Sequence, residues 1–347
     1  MLICSLVNLI PQQKAQMMND PQPSPAQQAW MNLGYGMFLH FGPNTFTGEG
    51  WGTGTFPARE FDPRRLNTDQ WAEAAAEAGM RYAVLTAKHH DGFCLWPSAH
   101  TDYCVKYAPG QPDVVGRFVE SFRKAGLRVG LYYSLWDRNY PQYEDDDRYA
   151  EYMQNQMTEL LTHYGPLAQI WFDGAWDKDH PTREWPYDPA WETQPESGLG
   201  HGERWRWREL YDHIHRLQPD CIVQNNTSSD RPGWVKYLPV DARVSEHFNF
   251  IWKDRLCEPV LEPVYTAADG QRYFLPLEFC TTLNHHWFWA EGRGELHPSV
   301  AAIVDWYQTA RAGGANLLLN VGPNKDGLIP AYHRHFLTQA AQRIRQG

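Results

Sequence analysis

Residues 68–92 read TDQWAEAAAEAGMRYAVLTAKHHDG, and the fold class follows from how this stretch divides. Its first half, closed by Gly79, has the composition and patterning of an amphipathic helix, with Thr68 as the expected N-cap. Arg81 to Ala87 (RYAVLTA) is short and apolar, which reads as a buried strand. Polar side chains, His89 and His90, follow directly on the strand's end.

The same unit recurs in both directions. Upstream, Gly34-Tyr35-Gly36 leads into a strand over Met37–Phe41 that carries His40. Downstream, Asp113 caps a helix ending near Gly126, and Leu127–Tyr133 is the third strand. Asp147–Tyr164 is a long helix, and Ala168–Phe172 is the fourth strand, followed at once by Asp173 and Gly174. Further strands are expected at Cys221–Gln224, Ala242–Glu246, Tyr273–Phe279 and Ala315–Val321, with helices over Glu203–Leu217, Ser299–Ala312 and Pro330–Arg345. Strands alternating with helices imply parallel pairing through crossover helices. Eight such strands predict an α/β chain folded as a (β/α)8 barrel resembling triosephosphate isomerase, a single catalytic domain over residues 31–347. Residues 1–30 are expected to be a leader or extension, since MLICSLVNLI is apolar yet too short to span a bilayer. No glycine-rich fingerprint follows the first strand, so a dinucleotide site has little support.

A formal net charge of −10, with no basic run, argues against nucleic-acid or anionic-membrane partners. The 16 Trp suit sugar rings, whose apolar faces stack on flat indoles while their hydroxyls reach the indole N–H. The six cysteines include no CxxC pair and are scattered, which favours reduced thiols and a cytoplasmic location over a zinc site or a disulfide framework.

In a barrel the chemistry collects at the C-terminal strand ends. Those ends carry His40, the pair His89 and His90, Tyr132 or Tyr133, Trp171 with Asp173, Glu246 with His247, and Glu278. A carboxylate placed straight after a buried strand, as Asp173 is, is costly without a purpose or a partner. Two facing carboxylates would serve glycoside hydrolysis, one attacking the anomeric carbon and one exchanging a proton with the leaving oxygen. Glu246 and Glu278 are the candidate partners. The histidines could be read as metal ligands, but neighbours on a strand point to opposite faces, unlike a helical i, i+4 pair. Neutral imidazoles donating to sugar hydroxyls fit better, and neither a metal nor another cofactor is expected.

Five segments carry a family resemblance: GMFLHFGPNTFTGEGWG (36–52), VLTAKHHDGFCLWPS (84–98), GLYYSLWDRN (130–139), IWFDG (170–174) and ANLLLNVGPNKDG (315–327). Together they resemble glycoside hydrolase family twenty-nine, the α-L-fucosidases, over nearly the whole barrel. The resemblance implies a retaining exo-glycosidase that removes terminal α-L-fucose from oligosaccharides or glycoconjugates. Asp173 matches the nucleophile. His40, Trp51, His89, His90, Tyr132 and Trp171 match the residues lining the sugar pocket, and Glu246 looks like the acid/base, with a raised pKa expected for that role. Trp287 matches an aromatic platform beneath the sugar methyl, and Arg231 matches a pocket arginine. Family members often have Glu directly before the pocket Trp, whereas here Gly50 intervenes and Glu49 lies one residue earlier. Many also carry a C-terminal β-sandwich, which is not expected here. Two other readings stay open: a fucose-binding barrel with impaired catalysis, and a metal-dependent hydrolase using His40, His89 and His90.

Overall fold

A computed structural model describes residues 20–174, 203–226, 237–246, 261–267, 270–284, 286–291 and 298–346, positions 233 and 235, and the backbone of 250–252 and 255–257. Eight strands among them form one parallel sheet. They are β1 (Tyr35–Leu39), β2 (Tyr82–Lys88), β3 (Arg128–Ser134), β4 (Gln169–Asp173), β5 (Ile222–Asn225), β6 (Arg243–Glu246), β11 (Leu277–Thr282) and β12 (Asn316–Asn320). Two antiparallel hairpins intervene, β7 (Phe250–Trp252) with β8 (Arg255–Cys257), and β9 (Val264–Thr266) with β10 (Arg272–Phe274). The sheet order is β5-β4-β3-β2-β1-β12-β11-β6. A parallel bridge from Gln224 to Ala242 and a bond from the Asp241 N–H to the Val223 carbonyl (2.7 Å) join its two ends. The sheet therefore closes into the expected barrel.

The helices are α1 (Pro25–Met31), α2 (Pro43–Thr47), α3 (Thr68–Glu77), α4 (Val114–Lys124), α5 (Asp146–His163), α6 (Trp207–Leu217), α7 (Val300–Ala312) and α8 (Ala331–Gln346). Asp113 caps α4, accepting from the Gly116 N–H at 2.8 Å. On α3 the cap is Asn67, one residue before the Thr68 expected from sequence. Thr68 lies inside the first turn, where its hydroxyl meets Ser121 of α4 at 2.8 Å. A short polar side chain can cap its own helix or tie it to a neighbour, and here the tie prevails. Gly79 and Gly126 sit just past α3 and α4 at positive φ, the conformation that ends a helix and favours glycine. Among the described residues no helix is long and apolar enough to cross a membrane.

Strands buried on both faces read as nearly continuous apolar runs. Outward residues such as Leu39, Leu85, Leu131 and Phe172 pack with Phe118 of α4 and Leu160 of α5. Inward residues Phe38, Val84, Tyr132, Trp171, Val244, Cys280 and Leu318 fill the barrel's middle.

Two boundaries differ from the sequence reading. The run Tyr273–Phe279 is split: Tyr273 belongs to β10, and the barrel strand β11 begins at Leu277. Pro276 separates them, because a residue without an N–H cannot continue a ladder on its donor side. The packing on the barrel also begins before residue 31. In α1, Gln27 donates to the carbonyls of Asp241 (2.7 Å) and Phe274 (2.8 Å). Trp30 is buried, bonds the Gln169 side chain through its indole N–H, and accepts from Asn316 at 3.0 Å. These partners stand at or shortly before the starts of barrel strands, so α1 floors the barrel.

Candidate active site

The opposite end of the barrel is lined by the residues that follow the strands. His40 comes directly after β1 and is buried. Its protonation is fixed by a chain of partners. The Asn320 amide nitrogen donates to the Trp287 carbonyl (2.7 Å) and to the Thr282 hydroxyl (2.9 Å). The Asn320 oxygen must then be the atom 2.8 Å from His40 Nδ1, so Nδ1 carries the hydrogen. Burial pushes the His40 pKa down to about 3, against the opposing bond to Asn320. The ring is neutral, and its Nε2 is an acceptor.

His90 follows the same logic. The Ser134 hydroxyl gives its hydrogen to the Trp136 carbonyl at 2.7 Å, so its oxygen accepts from His90 Nδ1 at 2.7 Å. Burial first, then the charges of His40 and Arg138, push its pKa down to about 3. Its unprotonated Nε2 lies 3.6 Å from Asp173 Oδ2, outside hydrogen-bond range. The expectation that these rings donate to sugar hydroxyls is thus reversed for His40 and His90, whose second nitrogens accept. Burial, with the two neighbouring imidazoles, also holds His89 well below the ordinary value.

His89 and His90 do not point to opposite faces. Both lie past the last residue of β2, and the Gly92 N–H turns back onto the His89 carbonyl at 2.9 Å. The turn ends strand alternation, and the two ring centroids come within 4.1 Å. The last strand residue, Lys88, points the other way, fully buried and paired with Asp137 at 2.9 Å. Among the described residues no three His, Cys, Asp or Glu side chains are grouped to hold a metal ion.

Asp173 ends β4 with its side chain 19% exposed. Tyr132 donates to Oδ2 at 2.9 Å, and the Gly174 N–H donates to Oδ1 at 2.8 Å. Gly174 has φ +71°, and a Cβ there would come within 2.9 Å of Trp136, so glycine is required for both reasons. Trp171 stacks on Tyr132, with centroids 5.3 Å apart and planes 21° from parallel.

Glu246 ends β6. It meets Asp173 through Asn226, a residue the sequence reading missed. The Asn226 amide nitrogen donates to Glu246 Oε2 at 3.0 Å and to Asp173 Oδ1 at 3.3 Å. Burial raises the Asp173 pKa to about 7, and the charge of Glu246 adds to the rise. The bonds from Tyr132, Gly174 and Asn226 oppose it by favouring the carboxylate. The available signal for Asn226 was the polar pair that follows the apolar run of the fifth strand.

The remaining expectations divide. Trp287 lies stacked against His40, 5.0 Å between centroids. Trp51 is 37% exposed and stands edge-on to His90 and Trp136 at the rim. Glu49 is on the same loop but exposed. Glu278 is misplaced by the sequence reading. It is the second residue of β11, not the last, and it lies among floor residues. There it accepts from Tyr82 (2.5 Å), Gln169 (3.2 Å) and Gln224. The cause is the split at Pro276, which moves the barrel strand toward the C-terminus and leaves Glu278 near its start. Arg231 and His247 lie outside the described residues. Phe288, also missed, is buried with its edge toward both His40 and His89.

Comparison with known proteins adds a lineage to this geometry. The family model described as Alpha-L-fucosidase matches residues 55–346. Alpha-L-fucosidase 1 of Arabidopsis thaliana is 35% identical over 317 residues, covering 89% of this chain and 57% of the plant protein. Tissue alpha-L-fucosidase of Rattus norvegicus is 29% identical, covering 81% of this chain and 54% of its own length. The chain thus spans a little over half the length of these curated relatives. The solved structure of alpha-L-fucosidase isoenzyme 1 from Paenibacillus thiaminolyticus superposes with a TM-score of 0.68 at 28% identity, covering 92% of this chain and 76% of that one.

Proposed function

The chain belongs to the α-L-fucosidase family, glycoside hydrolase family twenty-nine, and from that premise we propose that it hydrolyses terminal α-L-fucosides with retention of configuration. The observation that carries the mechanism is the shared amide between the two carboxylates. Asp173 Oδ1 and Glu246 Oε2 bind one nitrogen at 3.3 and 3.0 Å. Both carboxylates therefore face one site, as a pair that shares one glycosidic bond must, and retention is the outcome the family membership leads us to expect.

In the first step the Asp173 carboxylate attacks the anomeric carbon, the glycosidic C–O bond breaks, and Glu246 gives its proton to the leaving oxygen. In the second, water attacks the same carbon, the bond to Asp173 breaks, and the water's proton goes to Glu246. Tyr132 holds the attacking carboxylate by its other oxygen. The neutral imidazoles of His40, His89 and His90 bind hydroxyls without a charge to desolvate. Trp287 and Trp51 supply apolar faces at the pocket wall and rim.

The deciding experiment is release of aryl alcohol from an aryl α-L-fucoside, run beside the aryl β-D-galactoside and α-L-rhamnoside. Turnover of the fucoside alone is expected, with the α-fucosyl product formed first by proton NMR. A folded protein that binds fucose without turnover would instead support the impaired-barrel reading. We also read the chain as cytoplasmic, in keeping with the free thiols of Cys94, Cys104, Cys221 and Cys280. Intact mass before and after alkylation, without reductant, should report every cysteine reactive once unfolded.

A further inference from the structure

We infer that Asn226 is the positioning residue for the carboxylate pair, a two-handed donor that holds Asp173 and Glu246 at working separation and offsets their repulsion. The inference rests on the fucosidase reading for its kinetic consequences, though not for its geometry.

The place of Asn226 is determined by the barrel itself. Its backbone N–H bonds the Phe172 carbonyl at 2.8 Å, which extends the β4–β5 ladder one residue beyond β5. The side chain is buried. Two carboxylates face the same end of its amide, and only the nitrogen end carries hydrogens to give them. An amide nitrogen has two hydrogens, one for each carboxylate. No other described residue bonds both.

The need for such a group follows from the chemistry. Whenever both carboxyls are ionised, like charges face each other in a part-buried site. That state arises in the free enzyme once pH exceeds both pKa values, since in the covalent intermediate Asp173 is esterified and carries no charge. A second carboxylate swinging away to water would relieve the repulsion and end catalysis. A neutral donor between them lowers the cost of the doubly ionised state without neutralising either group. Lysine in that place would do so more strongly, but would hold Glu246 ionised when it must carry a proton. The other groups facing Asp173 bind one carboxylate or none: the Tyr132 hydroxyl on β3, the His90 ring after β2, and the Cys280 thiol on β11.

The test compares Asn226→Ala with Asn226→Asp. Asp has the shape of Asn but gives no second hydrogen and adds a third negative charge. Because the added charge harms the pair whatever Asn226 does, the donor role is read from Asn226→Ala, and an Asn226→Asp protein close to wild type rules it out. Asn226→Ala is expected to lower kcat/KM on an aryl fucoside roughly a hundredfold, since two charge-assisted bonds are lost. The acid limb of its kcat/KM profile should move upward by about one pH unit, because Asp173 loses a bond that favours its ionised form. An Asn226→Asp protein within threefold of wild type, or an unmoved limb in Asn226→Ala, overturns the inference.

A second measurement needs no turnover. The carboxyl carbon of Asp173, labelled with carbon-13 and assigned by its loss in Asp173→Asn, should titrate at higher pH in Asn226→Ala than in wild type. Were wild type inactive on every fucoside, the fucosidase reading would fail while this titration still judged the clamp. An unchanged midpoint would sink the clamp by itself.

Discussion

Two carboxyls at opposite ends of the barrel invite comparison, Asp173, part-exposed at the mouth, and Glu278, buried at the floor, and burial raises both to about 7. Their surroundings differ in kind. Glu278 is enclosed by three side chains, Tyr82, Gln169 and Gln224, that give it hydrogen bonds, with helix α1 beneath the barrel. Asp173 has donors too, but its second-largest perturbation is another carboxylate, and part of its side chain reaches the pocket. A perturbed carboxyl is therefore not by itself a mark of catalysis. What separates the two is access and an unneutralised like charge. The floor carboxyl is held by enclosed donors, while the mouth carboxyl retains capacity to react.

The largest expected effect is at Asp173. Asp173→Gly should lower turnover of every fucoside by roughly ten-thousandfold or more. Azide in the vacated space should restore part of it and yield the β-fucosyl azide, readable by proton NMR. Glu246→Ala should act selectively. A natural oligosaccharide should lose about a hundred- to ten-thousandfold, whereas an aryl fucoside with a good leaving group needs little protonation and should lose less. Azide should then trap the intermediate as the α-fucosyl azide. Near-wild-type activity on an oligosaccharide would move the acid/base elsewhere, with Glu49 rather than Glu278 as the candidate on the mouth side.

Stability against pH sharpens the comparison next. Each carboxyl rises from an ordinary value, 3.8 for Asp173 and 4.5 for Glu278, to about 7 in the folded chain. The folded state therefore keeps a proton that the unfolded state releases. The associated stability is fully present below the unfolded value and is lost as pH rises through the folded one. The loss is up to ~4 kcal/mol for Asp173 and ~3 kcal/mol for Glu278. Asp173→Asn should accordingly raise Tm at pH 8 by several degrees while abolishing activity. Glu278→Gln should also flatten the decline between pH 5 and 8, but lose stability at pH 5, where its new amide hydrogens face existing donors. Its kcat/KM should stay within roughly threefold of wild type. A loss above tenfold would break the distinction between floor and mouth. The smallest effect is expected from exhaustive chelation, which should leave kcat/KM unchanged. Activity lost in chelator and restored by a divalent ion would favour the metal-dependent reading instead.

Much of the mouth was legible because a barrel delivers strand-end residues to one place. His40, His89, His90, Tyr132, Asp173 and Glu246 all follow apolar runs, and the structure gathers them. The errors have local causes. Hydropathy points Glu278 to the mouth because it does not separate a hairpin strand from the barrel strand that follows it, and Pro276 marks the break. Strand alternation points the rings of His89 and His90 to opposite faces only if it continues past Lys88, where β2 ends. The polar pair after the fifth strand is only a weak signal for Asn226, since an amide after a strand is as common in turns as in active sites.

What the sequence determined by itself is what short-range physics controls. Periodicity separated helices from strands, caps and glycines marked most of their ends, and alternation implied a parallel barrel whose strand ends carry the chemistry. What only the tertiary structure decided is which of those ends face one another and at what distance. Pairing of β4 with β5 carries Asn226 to Asp173, 53 positions away in sequence, and closing the barrel between β5 and β6 brings Glu246 to both. Inter-strand ladders set that register, and they also place Glu278 at the floor beside Asn316 and Val244. A ladder is a relation between distant segments, whereas hydropathy and capping are properties of one segment, so the spacing of the two carboxylates is decided only when the sheet closes.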